Sequence, residues 1–182
     1  MFESLPQKKR IGIFGGSFNP PHLGHSAIIR WLFARGLIDE LLVIPCFIHP
    51  FEKDLIPFED RCSMCRLAFG KLGLHVTVSN IERKIGGRSY TLQTIQALQI
   101  EHPEARFYLV TGDDIIAEKE KWHRFEEIRD LVEIIRIPRG ADSFIPDISS
   151  TQIRDRLAAR EPYADLLEPE VAVYIITKGL FR

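Results

Sequence analysis

The residues most suited to chemistry lie at positions 15–25, which read Gly-Gly-Ser-Phe-Asn-Pro-Pro-His-Leu-Gly-His. This segment follows a short apolar, β-prone run at 11–14 and opens a stretch at 22–35 whose apolar residues have helical spacing. Ligands of open α/β sheets bind beyond the carboxyl ends of the strands, and a helix N-terminus offers N–H groups and a positive dipole end. The segment therefore predicts a phosphate-binding turn.

Individual residues of this turn suggest separate roles. Gly15 and Gly16 allow a ligand to approach the backbone without a Cβ in the way. Gly24 leaves room for a flat ring such as adenine. His22 and His25 share one helix face, so both imidazoles can donate hydrogen bonds to polyphosphate oxygens whose charge grows during group transfer. The ordinary alternative is a glycine turn followed by two surface histidines.

A second anion-binding pattern occurs at 148–154, which reads Ile-Ser-Ser-Thr-Gln-Ile-Arg. Hydroxyl side chains are favoured helix N-caps, and Arg154, four positions after Ser150 and three after Thr151, faces the same side as the cap. A guanidinium can hold two phosphate oxygens at once. Alone, the pattern fits a capped helix with a solvated arginine equally well; beside the first segment, it favours phosphate binding.

The hydrophobic pattern indicates which elements position these segments. Strand-like and helical runs alternate, which predicts βαβ units with right-handed crossovers. We expect an α/β fold: a Rossmann-like open parallel sheet with helices on both faces, in a single domain (1–182) with a small helical C-terminal segment from about 149 to 182. The predicted strands are 11–14, 41–45, 74–78, 106–110 and 131–137. The predicted helices are 22–35, 58–72, 90–100, 149–159 and 168–177, with one or two short helices at 115–129. The stretches 80–88 and 141–147 are predicted loops.

Composition restricts the class of protein. With 24 basic and 25 acidic residues in 182, the net charge is −1, which argues against a broad nucleic-acid or anionic-membrane surface. The N-terminus has no apolar signal region, and no apolar stretch approaches the ~20 residues that span a bilayer. We expect a cytoplasmic protein with no nucleic-acid or membrane partner; a homo-oligomer is left open.

The three cysteines also favour a reducing compartment, because an odd number cannot pair completely within the chain. Cys62 and Cys65 fit Cys-x-x-Cys, but they lie in an apolar helical pattern without a second pair for zinc. We therefore expect them to be core residues. Cys46 receives no assigned role.

The segment at 15–25 closely resembles the signature of the nucleotidylyltransferase superfamily, whose core is His-x-Gly-His. The segment at 148–154 is similar, residue for residue, to the superfamily segment that binds ATP phosphates. This resemblance implies an adenylyltransferase in which Ser17 and Phe18 help to bind ATP. It also implies catalytic roles for His22, His25 and Arg154.

Two further patterns resemble the bacterial nicotinate (nicotinamide) mononucleotide adenylyltransferases. One is Ser89-Tyr90-Thr91 before a predicted helix; the other is Gly112-x-Asp114 followed by Trp122. In that family, the Ser-Tyr-Thr segment and the Trp surround the pyridine ring and its carboxylate. Asp114 could bind ribose hydroxyls or help to hold the metal, and the alternative for Trp122 is a half-buried packing residue. Because the ending at 167–180 is similar too, the resemblance covers nearly the whole chain.

The sequence departs from the family pattern in three places. The usual Pro-Pro-His-Lys reads His49-Pro-Phe-Glu-Lys53 in this sequence. The usual Arg-Pro-Gly reads Arg136-Ile-Pro-Arg139-Gly. Only eight residues separate Gly140 from Ser149, where the family commonly has a longer insertion. Either Arg136 or Arg139 could take the role of the family arginine. These departures leave adenylyl transfer intact and make the acceptor the open question.

The resemblance implies a Mg²⁺-dependent transfer of AMP from ATP to nicotinate mononucleotide, with Mg²⁺ bound mainly by phosphates and water and no protein ligand assigned. The alternatives are nicotinamide mononucleotide or another phosphorylated acceptor, CTP in place of ATP, and a non-catalytic nucleotide-binding regulator. The predicted site residues are, by role, catalytic His22, His25 and Arg154; ATP-binding Gly15, Gly16, Ser17, Phe18, Gly24, Gly112, Asp114, Ile148, Ser149, Ser150 and Thr151; and substrate-binding Asn19, His49, Lys53, Ser89, Tyr90, Thr91, Trp122 and Arg139.

Overall fold

The computed structural model describes residues 8–51, 54–112, 122–138, 143 and 145–181. In this part of the chain, five strands form one parallel sheet in the order β3-β2-β1-β4-β5. The strands are β1 (Arg10–Gly16), β2 (Glu40–Pro45), β3 (Val76–Val78), β4 (Arg106–Gly112) and β5 (Glu133–Ile137). The order reverses between β1 and β4, so their carboxyl ends form the crevice in which such sheets bind ligands.

Helices connect the strands and cover both faces of the sheet. They are α1 (Leu23–Ala34), α2 (Phe58–Phe69), α3 (Ile81–Ile85), α4 (Thr91–Glu101), α5 (Phe125–Leu131), α6 (Ser150–Ala159) and α7 (Pro169–Lys178), with 3₁₀ turns at Gly70–Leu72 and Ala164–Leu166. No helix of the described ranges is long and apolar enough to cross a membrane.

Two separate cores show that the sheet is doubly covered. Alternate residues of a strand point to opposite faces, so Ile11 and Ile13 of β1 enter one core while Phe14 enters the other. The core containing Phe14 is completed by α1, α2, α6 and α7, and the core containing Ile11 by α3, α4 and α5. The predicted α/β class, with a parallel sheet and helices on both faces, is confirmed.

One predicted loop is wrong. The stretch 80–88 contains α3, whose Ile81 is only 2% exposed beneath the sheet. The Gly-Gly pair and alternating charges suggested a loop, but Arg83 and Lys84 lie on the solvent side of a single turn whose other side is buried. Gly86 and Gly87, at φ of +76° and +69°, end the helix rather than extending a loop from 80.

Other boundaries shift by a few residues. The predicted helix 58–72 ends at Phe69 and continues as a 3₁₀ turn, and the predicted strand 74–78 shortens to Val76–Val78. The predicted helix 115–129 lies partly outside the described residues, and α5 begins at Phe125. The described residues from 149 onward contain only helices and turns, as expected for the C-terminal segment.

Candidate active site

The two histidines of the first segment lie side by side at the start of α1. His22 is the N-cap residue, with extended backbone, and its N–H donates to His25 Nδ1 at 3.1 Å. The two ring centroids are 3.7 Å apart at an interplanar angle of 34°. His25 also packs on the ring of Phe18, with centroids 5.0 Å apart. The structure therefore places His22 and His25 on the same face at the start of α1, as predicted.

Gly24 lies close to the His22 imidazole. A Cβ at this position would lie 3.0 Å from His22 Nδ1 and 3.5 Å from the carbonyl oxygen of Pro146. A side chain at this position would therefore crowd the His22 imidazole. Gly24 allows that ring to fold back over the first turn of α1, and a direct contact of Gly24 with ATP stays a prediction.

The second predicted segment meets the first. Arg154 of α6 donates from Nη1 to the carbonyl oxygen of Asn19 at 2.8 Å and from Nη2 to Thr151 Oγ1 at 3.1 Å. Ser150 Oγ donates to the carbonyl oxygen of Pro20 at 2.8 Å. Ser149 caps α6, since its Oγ accepts the N–H of Gln152 at 3.0 Å. The fold thus brings the N-terminus of α6 against the loop that carries the histidines.

The glycines at the strand ends lie at the same edge of the sheet. Gly15 and Gly16 end β1, and Gly112 ends the neighbouring β4. A Cβ built at Gly15 would meet no atom within 4 Å, so this position faces open space, as a ligand-binding glycine requires. The N–H of Cys46, at the exit of β2, donates to the carbonyl oxygen of Gly16 at 2.9 Å.

Asn19 is 2% exposed and supports the loop from within. Its Oδ1 accepts the N–H of Ile56 at 3.3 Å, while its carbonyl oxygen accepts from Arg154. Phe18, beside it, is also 2% exposed and has a φ of +46°, a left-handed backbone that a bulky residue rarely adopts. Asn19 was predicted to bind substrate; the contacts shown here are those of a residue that holds the loop.

The Ser89-Tyr90-Thr91 segment lies opposite, at the start of α4. Ser89 Oγ accepts the N–H groups of Phe47 at 3.0 Å and Ile48 at 3.3 Å, so the segment is fastened to the chain leaving β2. Tyr90 is the extended N-cap of α4 and Thr91 its first residue. A shallow depression adjoins this segment; Glu82, Arg88, Ser89, Tyr90, Gln93 and Thr94 contribute to its lining.

The aromatic residues of the predicted acceptor site divide into two pairs. Trp122 is half-buried; its ring lies 5.8 Å from that of Phe125, and it packs on the core beneath α4. The ring found against Tyr90 is that of His123, with centroids 4.9 Å apart. The contacts of Trp122 are those of the packing alternative, whereas His123, adjacent to Trp122 in sequence, had no predicted role.

Several residues predicted to bind ATP or the acceptor cannot be placed in the site. Lys53, Asp114 and Arg139 lie outside the described residues. His49 is half-buried on the chain leaving β2, and its Nδ1 accepts the N–H of Phe51 at 3.1 Å. Arg136 is exposed on β5, so the choice between the two arginines stays open.

Arg61 on α2 was not singled out from the sequence. It is 1% exposed, and its guanidinium donates to the carbonyl oxygens of Ser17 at 2.9 Å, Ile56 at 3.0 Å and Phe47 at 3.5 Å. Burial lowers the pKa of this guanidinium from its ordinary value. Its helical spacing from Phe58 and the buried Cys65 could have placed it on the inward face of α2.

Glu82 on α3 was also missed, because it lies in the predicted loop. Its Oε2 accepts the N–H of Phe47 at 3.0 Å and its Oε1 accepts the hydroxyl of Thr94 at 3.2 Å. Burial raises the pKa of this carboxyl, although hydrogen bonds from Ser89, Phe47 and Thr94 and the charge of Arg61 oppose the shift.

The cysteines have the surroundings of core residues. Cys62 and Cys65 are each 0% exposed on the inner side of α2, and burial raises the pKa of both thiols. Within the described ranges, no group of three or more His, Cys, Asp or Glu residues is arranged to hold a metal ion. The predicted core role of the pair fits this placement.

The chain is similar in sequence to proteins of one known family. The cytidylyltransferase-like family model matches residues 13–156. A curated relative from Anaeromyxobacter dehalogenans (strain 2CP-1), named "Probable nicotinate-nucleotide adenylyltransferase", is 42% identical, over 96% of this chain and 97% of its own. A relative of the same name from Carboxydothermus hydrogenoformans is 34% identical, over 95% and 98%.

The fold also matches a solved structure. Nicotinic acid mononucleotide adenylyltransferase from Plasmodium falciparum, complexed with NaAD, superposes with a TM-score of 0.80, over 95% of this chain and 97% of that chain. At 22% identity this likeness concerns the fold alone.

Proposed function

The chain belongs to the cytidylyltransferase-like family and, within it, to the nicotinate-nucleotide adenylyltransferases, and we propose from this that it transfers the adenylyl group of ATP to nicotinate mononucleotide. The products are deamido-NAD and pyrophosphate. The observation that carries the proposal is the junction of the two phosphate-binding segments, in which Arg154 and Ser150 of α6 hold the carbonyl groups of Asn19 and Pro20 beside His22.

The reaction is a displacement at the α-phosphorus of ATP. An oxygen of the acceptor's 5′-phosphate forms the new bond, and the bond from the α-phosphorus to the oxygen bridging to the β-phosphate breaks, so pyrophosphate leaves with that electron pair. The attacking phosphate is ionised at neutral pH and needs no protein base. The protein's contribution is therefore positioning and stabilisation of developing charge.

The histidine pair is built to donate hydrogen bonds. His25 Nδ1 accepts the N–H of His22, so the neutral imidazole of His25 carries its proton on Nε2. That nitrogen is then a donor for a phosphate oxygen whose charge grows as the bond breaks. His22, stacked against it at 3.7 Å between centroids, presents a second imidazole to the same ligand.

Arg154 combines a structural and a charge-stabilising role. Its guanidinium has five N–H donors, and the contacts with Asn19 and Thr151 engage one on Nη1 and one on Nη2. The remaining donors are available to oxygens of the ATP phosphates. The N-terminus of α6 adds backbone N–H groups, whose positive dipole end favours the same anion.

We propose that Mg²⁺ enters with ATP. The donors of the described site are imidazole, guanidinium, hydroxyl and backbone groups, which fit a metal held by phosphate and water oxygens rather than by a carboxylate cage. Bound there, the ion supplies neutralisation of phosphate charge. Asp114, which lies outside the described residues, would either help to hold the ion or bind ribose hydroxyls, as the family resemblance implies.

The Ser89–Thr91 region is the proposed acceptor site. The N-terminus of α4 offers N–H groups to a pyridine carboxylate, and the side chains of Tyr90 and His123 provide flat surfaces beside it.

The net charge of −1 supports small nucleotides rather than nucleic acid as partners, in a cytoplasmic enzyme.

The proposed function is tested by pyrophosphate release from purified protein with ATP and Mg²⁺. Nicotinate mononucleotide and nicotinamide mononucleotide are compared side by side, and CTP replaces ATP in a parallel arm. We expect the highest kcat/KM with ATP and nicotinate mononucleotide. Preference for the amide or for CTP would reassign the substrate, and no release in any arm would refute adenylyl transfer to a pyridine nucleotide.

A further inference from the structure

Two charged side chains, the buried Arg61 and the half-buried Glu82, meet at one residue between the proposed ATP and acceptor sites. Phe47 follows β2, and its N–H donates to Glu82 Oε2 at 3.0 Å while its carbonyl oxygen accepts from Arg61 Nη2 at 3.5 Å. Each charged group reaches further. Arg61 also donates to the carbonyl oxygen of Ser17, and Glu82 also accepts the hydroxyl of Thr94.

These contacts form a continuous path between the two halves of the site. From the phosphate loop at Ser17, the path runs through Arg61, Phe47 and Glu82 to Thr94 on α4. Arg61 is 1% exposed, and the charged hydrogen bonds of such a buried group are stronger and more directional than those of an exposed ion pair. A path of this kind resists relative displacement of its two ends.

The acceptor segment is fastened to the same point. Ser89 Oγ accepts the N–H groups of Phe47 and Ile48, and the Ser89 N–H donates to the carbonyl oxygen of Ile48 at 2.9 Å. Movement of Phe47 would therefore carry the start of α4 with it. The distance between the phosphate loop and the acceptor segment depends on how Arg61 and Glu82 hold this residue.

We propose that Arg61 and Glu82 are positioning residues for the transfer reaction, holding the backbone of Phe47 so that the acceptor's phosphate lies in line with the α-phosphorus of ATP. This inference rests on the proposed function. In-line attack tolerates little displacement: about 1 Å of misplacement lowers a rate by about 10²-fold. Neither residue touches substrate in this proposal.

The first test is steady-state kinetics of Glu82→Gln, which keeps the shape of the side chain but removes one oxygen acceptor and the charge. We expect kcat to fall about tenfold, because the acceptor's phosphate is no longer held in line with the α-phosphorus, and the KM for nicotinate mononucleotide to rise, while the KM for ATP changes less than about twofold. An unchanged kcat, or equal changes in both KM values, would overturn the positioning role.

The matched control is Glu101→Gln. Glu101 is an exposed carboxylate on α4 that pairs with Lys84 at 3.1 Å, so it tests loss of a charge on the same pair of helices away from Phe47. We expect wild-type kinetics. Thr94→Val, which removes one hydroxyl donor from Glu82, should shift the acceptor KM in the same direction by less than Glu82→Gln.

Hydrogen exchange separates this inference from the proposed function. In Glu82→Gln we expect the amide of Phe47 to exchange about tenfold faster, while the amide of Val43 within β2 is unchanged. If wild-type protein turns over no pyridine nucleotide, the proposed function fails. The exchange experiment still tests whether Glu82 holds the backbone of Phe47. Unaltered exchange at Phe47 in an active enzyme would refute the positioning role of Glu82 and leave the proposed function intact.

Discussion

Arg154 donates to the carbonyl oxygen of Asn19 across 2.8 Å, although the two residues are 135 positions apart in the chain. The contact joins the N-terminus of α6 to the loop between β1 and α1. It therefore fixes the two proposed phosphate-binding segments relative to each other. A site that is held in this way loses little conformational entropy when ATP enters.

Arg154→Lys should preserve the charge and lose this dual function. A lysine ammonium has no planar fork and cannot contact Asn19 and a phosphate oxygen in the same geometry. We expect kcat/KM to fall by about 10²-fold, as when one donor to a developing oxyanion is removed. Arg156→Lys, on the same helix but bonded to the carbonyl oxygen of Pro162, is the control. Equal effects of the two substitutions would exclude a specific role for Arg154.

His22→Ala and His25→Ala should each lower kcat by at least ~100-fold, because each removes a donor to oxygens that gain charge in the transition state. His25→Ala also removes the acceptor of the His22 N–H at the start of α1, so its melting temperature should fall further. His102→Ala, an exposed histidine at the end of α4, should leave kcat unchanged. A wild-type rate in either site variant would remove that histidine from the mechanism.

The parts of the site that lie close together in sequence were predictable. Helical spacing alone placed His22 beside His25, and the hydroxyl run at 149–151 indicated the cap of α6 that Ser149 forms. The order of apolar runs likewise predicted a parallel sheet, since each strand is followed by a helix long enough to cross back.

The supporting contacts were not predictable from local pattern. Arg61 reaches Ser17 and Phe47 only because α2 packs under both loops, and a charged residue in an apolar helix is ordinarily read as exposed. The proximity of the His22 ring to Gly24 was not predicted either, because the direction in which that ring folds depends on φ and ψ rather than on residue type. Both misses concern side-chain direction, which sequence spacing does not encode.

Asp39 gives a pH-dependent contribution to stability. Its carboxylate accepts from Arg10 at the backbone N (2.8 Å), Nε (3.2 Å) and Nη2 (2.6 Å), and these hydrogen bonds lower the pKa of Asp39. Because the folded pKa lies below the unfolded value, the contribution is present above the unfolded pKa and is lost as pH falls through the folded one.

Asp39→Asn should therefore lower the melting temperature at pH 7, and the difference from wild type should shrink towards pH 3. The same substitution should have a smaller effect in an Arg10→Gln background, because the guanidinium is then absent and only the backbone N–H of residue 10 still donates to position 39. A difference that does not change with pH would show that the Asp39 carboxylate acts through shape and not through its charge.

Trp122→Ala separates the two roles considered for this residue. If the indole contacts the acceptor, the KM for nicotinate mononucleotide should rise more than the KM for ATP, by about tenfold for loss of one aromatic stacking partner. The contact with Phe125 also predicts a lower melting temperature, because a half-buried aromatic side chain is removed. Trp31→Ala, which removes an indole from α1 in the opposite core, controls for that loss. A lower melting temperature with an unchanged acceptor KM would make Trp122 a packing residue and leave Tyr90 and His123 as the aromatic surface of the acceptor site.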